Sequence, residues 1–244
     1  MASDPVHLAY PNESAGYREA RNELLDAEID LRRRIEHVAA LRRALPPGGA
    51  PPQDYVFERT DAHGRPEQVK LSELFEDHPT IILYSFMYGP ERDLPCNGCT
   101  HILDALDGTA RHANQVLPLY IVARSPLVRL EAWGRVRGWR FFRFLSAEGN
   151  SYTSDYFGNT TGVSDAMRTE RGYQPGENWD QPVFNVFTKR DGTVRHSWGT
   201  ELVYVAEEPG QNHRAVDMVD PLWNLLDMTP EGRGTDWFPK VWYD

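Results

Sequence analysis

Ile81-Ile82-Leu83-Tyr84-Ser85-Phe86-Met87 and, after a loop from Tyr88 to Pro95, Cys96-Asn97-Gly98-Cys99 decide the reading of this chain. A nearly unbroken apolar run of that length is a strand buried on both faces, the kind found at the centre of a sheet. Ile102, Leu103, Leu106 and Ala110 then recur at helical spacing, so the cysteines open a helix that runs to about Ala113. Two thiols therefore stand at a helix N-terminus directly after a core strand.

Reading outward toward the C-terminus, Leu117–Ala123 is a second buried strand. Leu127–Val136 is helical, with Leu127, Leu130 and Trp133 on one face. Residues 139–181 are irregular and rich in Gly, Ser, Asn and aromatics. They read as an extended insertion, with Trp139–Leu145 as a strand candidate. Pro182 introduces a strand over Val183–Thr188, Asp191-Gly192 is a hairpin signal, and Val194–Trp198 returns. Val216–Leu226 is expected as the last helix. The tail from Thr229 to Asp244 holds Trp237, Phe238, Trp242 and Tyr243, which are costly to leave in water, so it is expected to dock on the domain or on a partner.

Toward the N-terminus, Tyr55–Thr60 alternates like a strand, a turn follows at His63-Gly64, and Leu71–Phe75 begins a short helix. Pro46-Pro47-Gly48-Gly49-Ala50-Pro51-Pro52 is a linker. Ahead of it, residues 15–45 read as one helix about 45 Å long. Tyr17, Leu24, Leu31, Val38 and Leu45 recur every seven residues along it. That stripe fits packing along its own domain or on a second copy, a homodimer through the N-terminal helix. The expected organisation is residues 1–52 as helix and linker, 53–228 as an α/β domain with its insertion at about 139–181, and 229–244 as an aromatic tail. Strand, helix, strand, helix, insertion, hairpin and helix in that order form a βαβ–ββα layout, a mixed central sheet flanked by helices.

The 244 residues are 40% apolar and 25% charged, with a formal net charge of −10. Such a chain buries its own core, and its acidity argues against a broad nucleic-acid or anionic-membrane surface. No stretch approaches the ~20 apolar residues of a membrane span. Met1-Ala2-Ser3-Asp4-Pro5 lacks the basic and apolar regions of a signal peptide, so a cytoplasmic location is expected. The chain has only two cysteines, three positions apart. A bond between them staples almost nothing, so in a reducing compartment the pair reads as redox-active or metal-binding.

A thiol reacts as its thiolate, and a helix N-terminus stabilises that charge. Cys96 should therefore fall from a pKa of about 8.5 toward 7. Cys99, one turn on, is placed to attack a mixed disulfide formed at Cys96. Cys96 is thus the expected nucleophile and Cys99 the more buried resolving thiol, with Asn97 and Gly98 between them facing substrate. Gln181-Pro182 opens the strand that lies beside this helix start in the βαβ–ββα layout. A cis bond at Pro182 is expected there, turning the Gln181 backbone toward the sulfurs as a substrate contact. Trp179 is a candidate cap over the site. The substrate is then a protein or small-molecule disulfide, electrons come from a thiol donor, and no cofactor is needed.

The order of buried strand, CxxC, helix, X-Pro strand and Asp-Gly hairpin resembles the thioredoxin superfamily. More narrowly the chain is similar to the DUF899 family, thioredoxin-like proteins predicted to be dithiol–disulfide oxidoreductases. The similar segments include Tyr55-Val56-Phe57, Ser85-Phe86-Met87-Tyr88-Gly89-Pro90, Cys96-Asn97-Gly98-Cys99, Ala123-Arg124-Ser125-Pro126-Leu127, and Leu226-Asp227-Met228-Thr229-Pro230-Glu231-Gly232-Arg233. What the resemblance implies is a thioredoxin-like fold. Pro95 and Asn97-Gly98 stand where typical thioredoxins carry Trp and Gly-Pro, so a reduction potential does not transfer.

Three other readings compete. Cys96, Cys99 and His101, joined by His196 or His213, form a donor set suited to copper or zinc. A peroxiredoxin-like peroxidase is a second, although Asp93 stands where that family's motif has Thr or Ser. The third is a non-catalytic assembly module that keeps the fold.

Overall fold

The computed structural model describes residues 7–174 and 176–243. They divide into two compact units, Met1–Pro46 and Pro47–Asp244. The first is essentially one helix, α1 (Ala15–Arg43), begun by Ser14, whose hydroxyl accepts the Tyr17 N–H at 3.1 Å, and closed with Arg42 and Arg43 in its last turn.

The second unit is built on a seven-stranded mixed sheet. Its strands are β1 (Val56–Thr60), β2 (Pro66–Lys70), β3 (Thr80–Ser85), β4 (Leu119–Ala123), β5 (Arg143–Ser146), β6 (Phe184–Arg190) and β7 (Thr193–Gly199), in the order β2-β1-β5-β4-β3-β6-β7. β3, β4 and β5 are parallel, with Ile82 opposite Leu119 and Ile121 opposite Phe144. β6 is antiparallel to β3 and β7 to β6. Between the parallel strands run α2 (Asn97–Ala113) and α3 (Leu127–Arg137). The short helices α4 (Tyr152–Asp155) and α5 (Asp165–Glu170) follow β5, and α6 (Pro221–Asp227) follows the hairpin. β3-α2-β4, then β6-β7 and α6, is the thioredoxin-like layout expected from the sequence.

Side chains alternate across the sheet as a period of two requires. Ile81, Leu83, Tyr120 and Val122 enter one core with Tyr55, Phe57, Phe75 and Tyr152. Tyr84, Ile121 and Ala123 enter the other with Cys99, Leu103, Leu130 and Trp133. The continuous apolar run is thus explained by helices and loops covering both faces. Asp191 and Gly192, with φ of 49° and 75°, make the expected tight turn of the β6–β7 hairpin.

Three expectations change. The strand candidate at Trp139–Leu145 is present but shifted, as β5 at Arg143–Ser146, and it lies inside the sheet between β4 and β1, so the irregular stretch begins only after it. β2, a strand absent from the sequence reading, is an edge strand with Pro66 at its start and charges along it, which hides its alternation. The last helix starts at Pro221 rather than Val216. Proline suits the first helical position, and Asp220 caps it by accepting the Leu222 N–H at 3.1 Å. No helix among the described residues is long and apolar enough to cross a membrane.

Candidate active site

Cys96 is the N-cap of α2, in extended backbone (φ −61°, ψ 132°), and its carbonyl accepts the Thr100 N–H at 2.9 Å. Its own N–H donates to the Met87 carbonyl at 3.1 Å, which ties the helix start to the end of β3. Cys96 is partly exposed and Cys99 is buried; neither is bonded to the other. Their chemistry is therefore split. Cys96 is held down to about 6, first by the thiol of Cys99 donating to its sulfur, then by the N–H groups of Cys99 and Gly98 and the charge of Arg92, against an opposing burial effect. Cys99 is pushed well above the ordinary thiol value by burial and by the neighbouring Cys96 sulfur. The Tyr84 hydroxyl, buried and without a regular hydrogen-bond partner, lies beside Cys99 and offsets part of that rise.

The loop ahead of the cysteines is fixed by residues distant in sequence. Asp180 is buried; it accepts the Gly89 N–H and the Arg124 Nε–H, each at 2.8 Å, with the Arg92 guanidinium 3.9 Å away. Gly89 is required here, since a Cβ would lie 2.9 Å from both Arg124 and Asp180. Arg129 spans the same loop, donating to the Arg92 and Asp93 carbonyls and lying over the Tyr88 ring. Arg92 is thereby kept close enough to act on Cys96.

In front of the thiols is a cavity of about 400 Å³. Cys96, Gly98, Cys99, His101 and Pro182 all line it, as do Trp223, Trp237 and Phe238. The aromatic tail docks on its own domain: Val241 is buried, Arg137 donates to its carbonyl at 2.7 Å, and Trp242 packs edge-on against Trp133.

Other expectations are corrected. No peptide bond among the described residues is cis, so Pro182 is trans. The Gln181 N–H is taken by the Gly158 carbonyl at 2.9 Å, and its side chain reaches Tyr173 rather than the cavity. Proline at a strand entrance satisfies the chain there without isomerisation. Asn97 is the first residue of α2 and does not line the cavity. The aromatic cap is not Trp179, which is exposed elsewhere, but α6 and the tail.

The copper or zinc donor set is not assembled. His196 lies on β7 against Tyr156 and Phe187, its Nε2 2.9 Å from Asn185 Oδ1. His101 Nε2 is 2.7 Å from the buried Asp220 carboxylate, and His213 pairs with Glu207. Among the described residues no three His, Cys, Asp or Glu side chains converge on a metal position. Asp220, Asp180 and Arg129 are the contributors that sequence reasoning missed. Each acts here across more than thirty residues of chain, and although Asp220 also marks the start of α6 locally, nothing near any of the three in sequence points to its distant partner.

Strand order and register define a thioredoxin-fold protein, with two thiols at the head of α2. The chain belongs to the family described as "Bacterial protein of unknown function (DUF899)", whose model matches residues 8–244. A comparison with curated proteins finds no match. Solved structures similar to it include peroxidoxin BcpB from Mycobacterium tuberculosis, 16% identical, covering 72% of this chain and 95% of that one at a TM-score of 0.36. Reduced Prx3 from Vibrio vulnificus, in complex with H2O2, is 14% identical over 69% and 91% at 0.42. The reduced 2-Cys peroxiredoxin of Plasmodium vivax is 14% identical over 73% and 96% at 0.41. These likenesses are too distant to bear on activity, and the fold assignment rests on the strand order above.

Proposed function

We propose that the protein is a dithiol–disulfide oxidoreductase with Cys96 as nucleophile and Cys99 as resolving thiol. The observation that carries this reading is the asymmetry of the pair: a partly exposed sulfur held near a pKa of about 6 beside a buried thiol held high. At neutral pH the first is a thiolate and the second keeps its proton.

The Cys96 thiolate attacks a disulfide RS–SR′, forming Cys96–S–S–R and releasing R′S⁻. Cys99 then loses its proton and attacks the Cys96 sulfur. RS⁻ departs and a Cys96–Cys99 disulfide remains, so two electrons have passed to the substrate. A thiol donor returns them by the reverse exchange, and such exchange needs no cofactor. Two lone cysteines working this way suit a reducing, cytoplasmic setting. The heptad stripe of α1 suits a homodimer through that helix.

The test is a titration of the pair in thiol–disulfide buffers, followed by mass spectrometry. One two-electron transition is expected, and Cys96→Ser abolishes reduction of a small disulfide. Failure of the bond to form in any buffer refutes the reading, as does turnover of peroxide through a Cys96 sulfenic acid with no disulfide reduction.

A further inference from the structure

The walls of the cavity in front of Cys96 restrict what can reach the sulfur. About 400 Å³ lies at the low end of small-molecule sites, which run from roughly 300 to 1,000 Å³. Trp223 packs against Phe238 at 5.8 Å and Trp237 at 6.4 Å, so one continuous aromatic wall comes from α6 and the tail. Trp237 and Phe238 remain 44% and 57% exposed, an apolar surface that gains by being covered. Gly98 stands between this wall and the nucleophile. A Cβ there would sit 3.4 Å from the Phe238 ring and 3.7 Å from the Cys96 sulfur, in van der Waals contact with both, so the wall and the nucleophile stand one side chain apart.

The charges around the cavity are already matched. Arg233 is held by Asp217 at 2.5 Å and Asp227 at 2.6 Å, and His101 faces Asp220. His213 pairs with Glu207. Among the described lining residues no cation is left over for a carboxylate or phosphate. Nor does the Gln181-Pro182 backbone offer a free amide to an extended peptide, because Gly158 takes the Gln181 N–H.

We propose that the dithiol serves small, uncharged disulfides with aromatic or alkyl substituents, seated in this cavity with Trp237 and Phe238 as its outer wall. This rests on the dithiol reading above and names its substrate class. The electron balance is the exchange already written: the substrate S–S bond takes two electrons and leaves as two thiols, and the Cys96–Cys99 bond forms.

The experiment compares three disulfides with the full-length reduced protein: uncharged dithiodipyridine, dianionic dithiobis(nitrobenzoate), and insulin. Each rate is divided by that of free dithiothreitol, which removes intrinsic reactivity. The enhancement for dithiodipyridine should exceed the other two by about tenfold, the scale of one aromatic contact with its buried area. Trp237→Ala and Phe238→Ala should each lower kcat/KM for dithiodipyridine by roughly 5- to 20-fold, with Phe238→Leu in between. Equal enhancements, or a preference for insulin, overturn the substrate class even if neither variant folds. If the Cys96–Cys99 bond forms without any preference, only this inference falls; if it never forms, the dithiol reading falls with it.

Discussion

Replacing Cys99 by alanine isolates what holds Cys96 ionised. The largest influence on Cys96 is the Cys99 thiol donating to its sulfur. A hydrogen bond to a charged group is worth about 1.5–3 kcal/mol, or roughly 1–2 pH units. With Cys96 at about 6 in the intact pair, Cys99→Ala should carry its midpoint up to roughly 7–8. Cys99→Ser, which keeps a donor, should fall between. Thiolate absorbance followed against pH reads this directly, because the variants contain one thiol and the Cys99 transition of the wild type lies far higher. At pH 6 the thiolate fraction should drop about 5- to 50-fold in the alanine variant. A wild-type midpoint above pH 8, or an alanine variant titrating with the wild type, would refute the argument that the partner thiol sets the nucleophile.

The same shifts fix how stability depends on pH. Cys96 is depressed in the folded state from 9.0 to about 6, so its contribution is full above pH 9 and is lost as pH falls through 6; at most it is about 4 kcal/mol. Cys99 is raised, so its contribution is lost as pH climbs past 9. Reduced wild type, relative to Cys96→Ala/Cys99→Ala, should gain stability from pH 6 to 9 in denaturant melts and lose it beyond. Asp180→Asn leaves Arg124 buried without its carboxylate and should cost about 3 kcal/mol by the same assay. Its midpoint for Cys96 should also rise as Arg92 is released. Tyr84→Phe removes a buried hydroxyl whose polar neighbour is the Cys99 thiol, at little cost in stability. It should raise Cys99 further and prolong the mixed disulfide, seen by quenched mass spectrometry. His196→Ala should leave any zinc affinity unchanged, since its ring faces Asn185 and Tyr156; a loss measured by competition with a chelator would restore the metal reading.

Elements were legible where burial imposes a period. Ile81–Met87 is β3 because both its faces are covered, and Ile102, Leu103, Leu106 and Ala110 mark the inward face of α2. Asp191-Gly192 announced its turn through backbone sterics alone. β2 was hidden because an edge strand carrying Glu67, Gln68 and Lys70 has no apolar alternation to display. Val216–Asp220 looked helical by spacing, yet the helix waits for Pro221 and its Asp220 cap. At the site, the two thiols and Pro182 were legible, but the geometry of Pro182 was not, since the Gln181 amide finds its partner in Gly158, far along the chain. The docking of the tail that carries Phe238 was legible from its aromatics, but its place beside the thiols was not, and Asp180 was illegible for the same reason: these roles exist only once distant segments meet.

The sheet is not equally knit along its width. β1 meets β5 at a single register pair, Glu58 opposite Ser146, whereas β3 is laddered on both sides. The β1–β2 hairpin is therefore held mainly by Phe57, Val69 and Tyr55 lodged among Leu83, Tyr120 and Tyr152. Backbone amides at that seam should exchange with deuterium through local openings of low free energy, while those of β3 and β4 wait for global unfolding. The thiol-bearing helix is tied to the end of β3 through the Cys96 N–H, so it should exchange with the slow block and the hairpin should breathe without disturbing the cysteines.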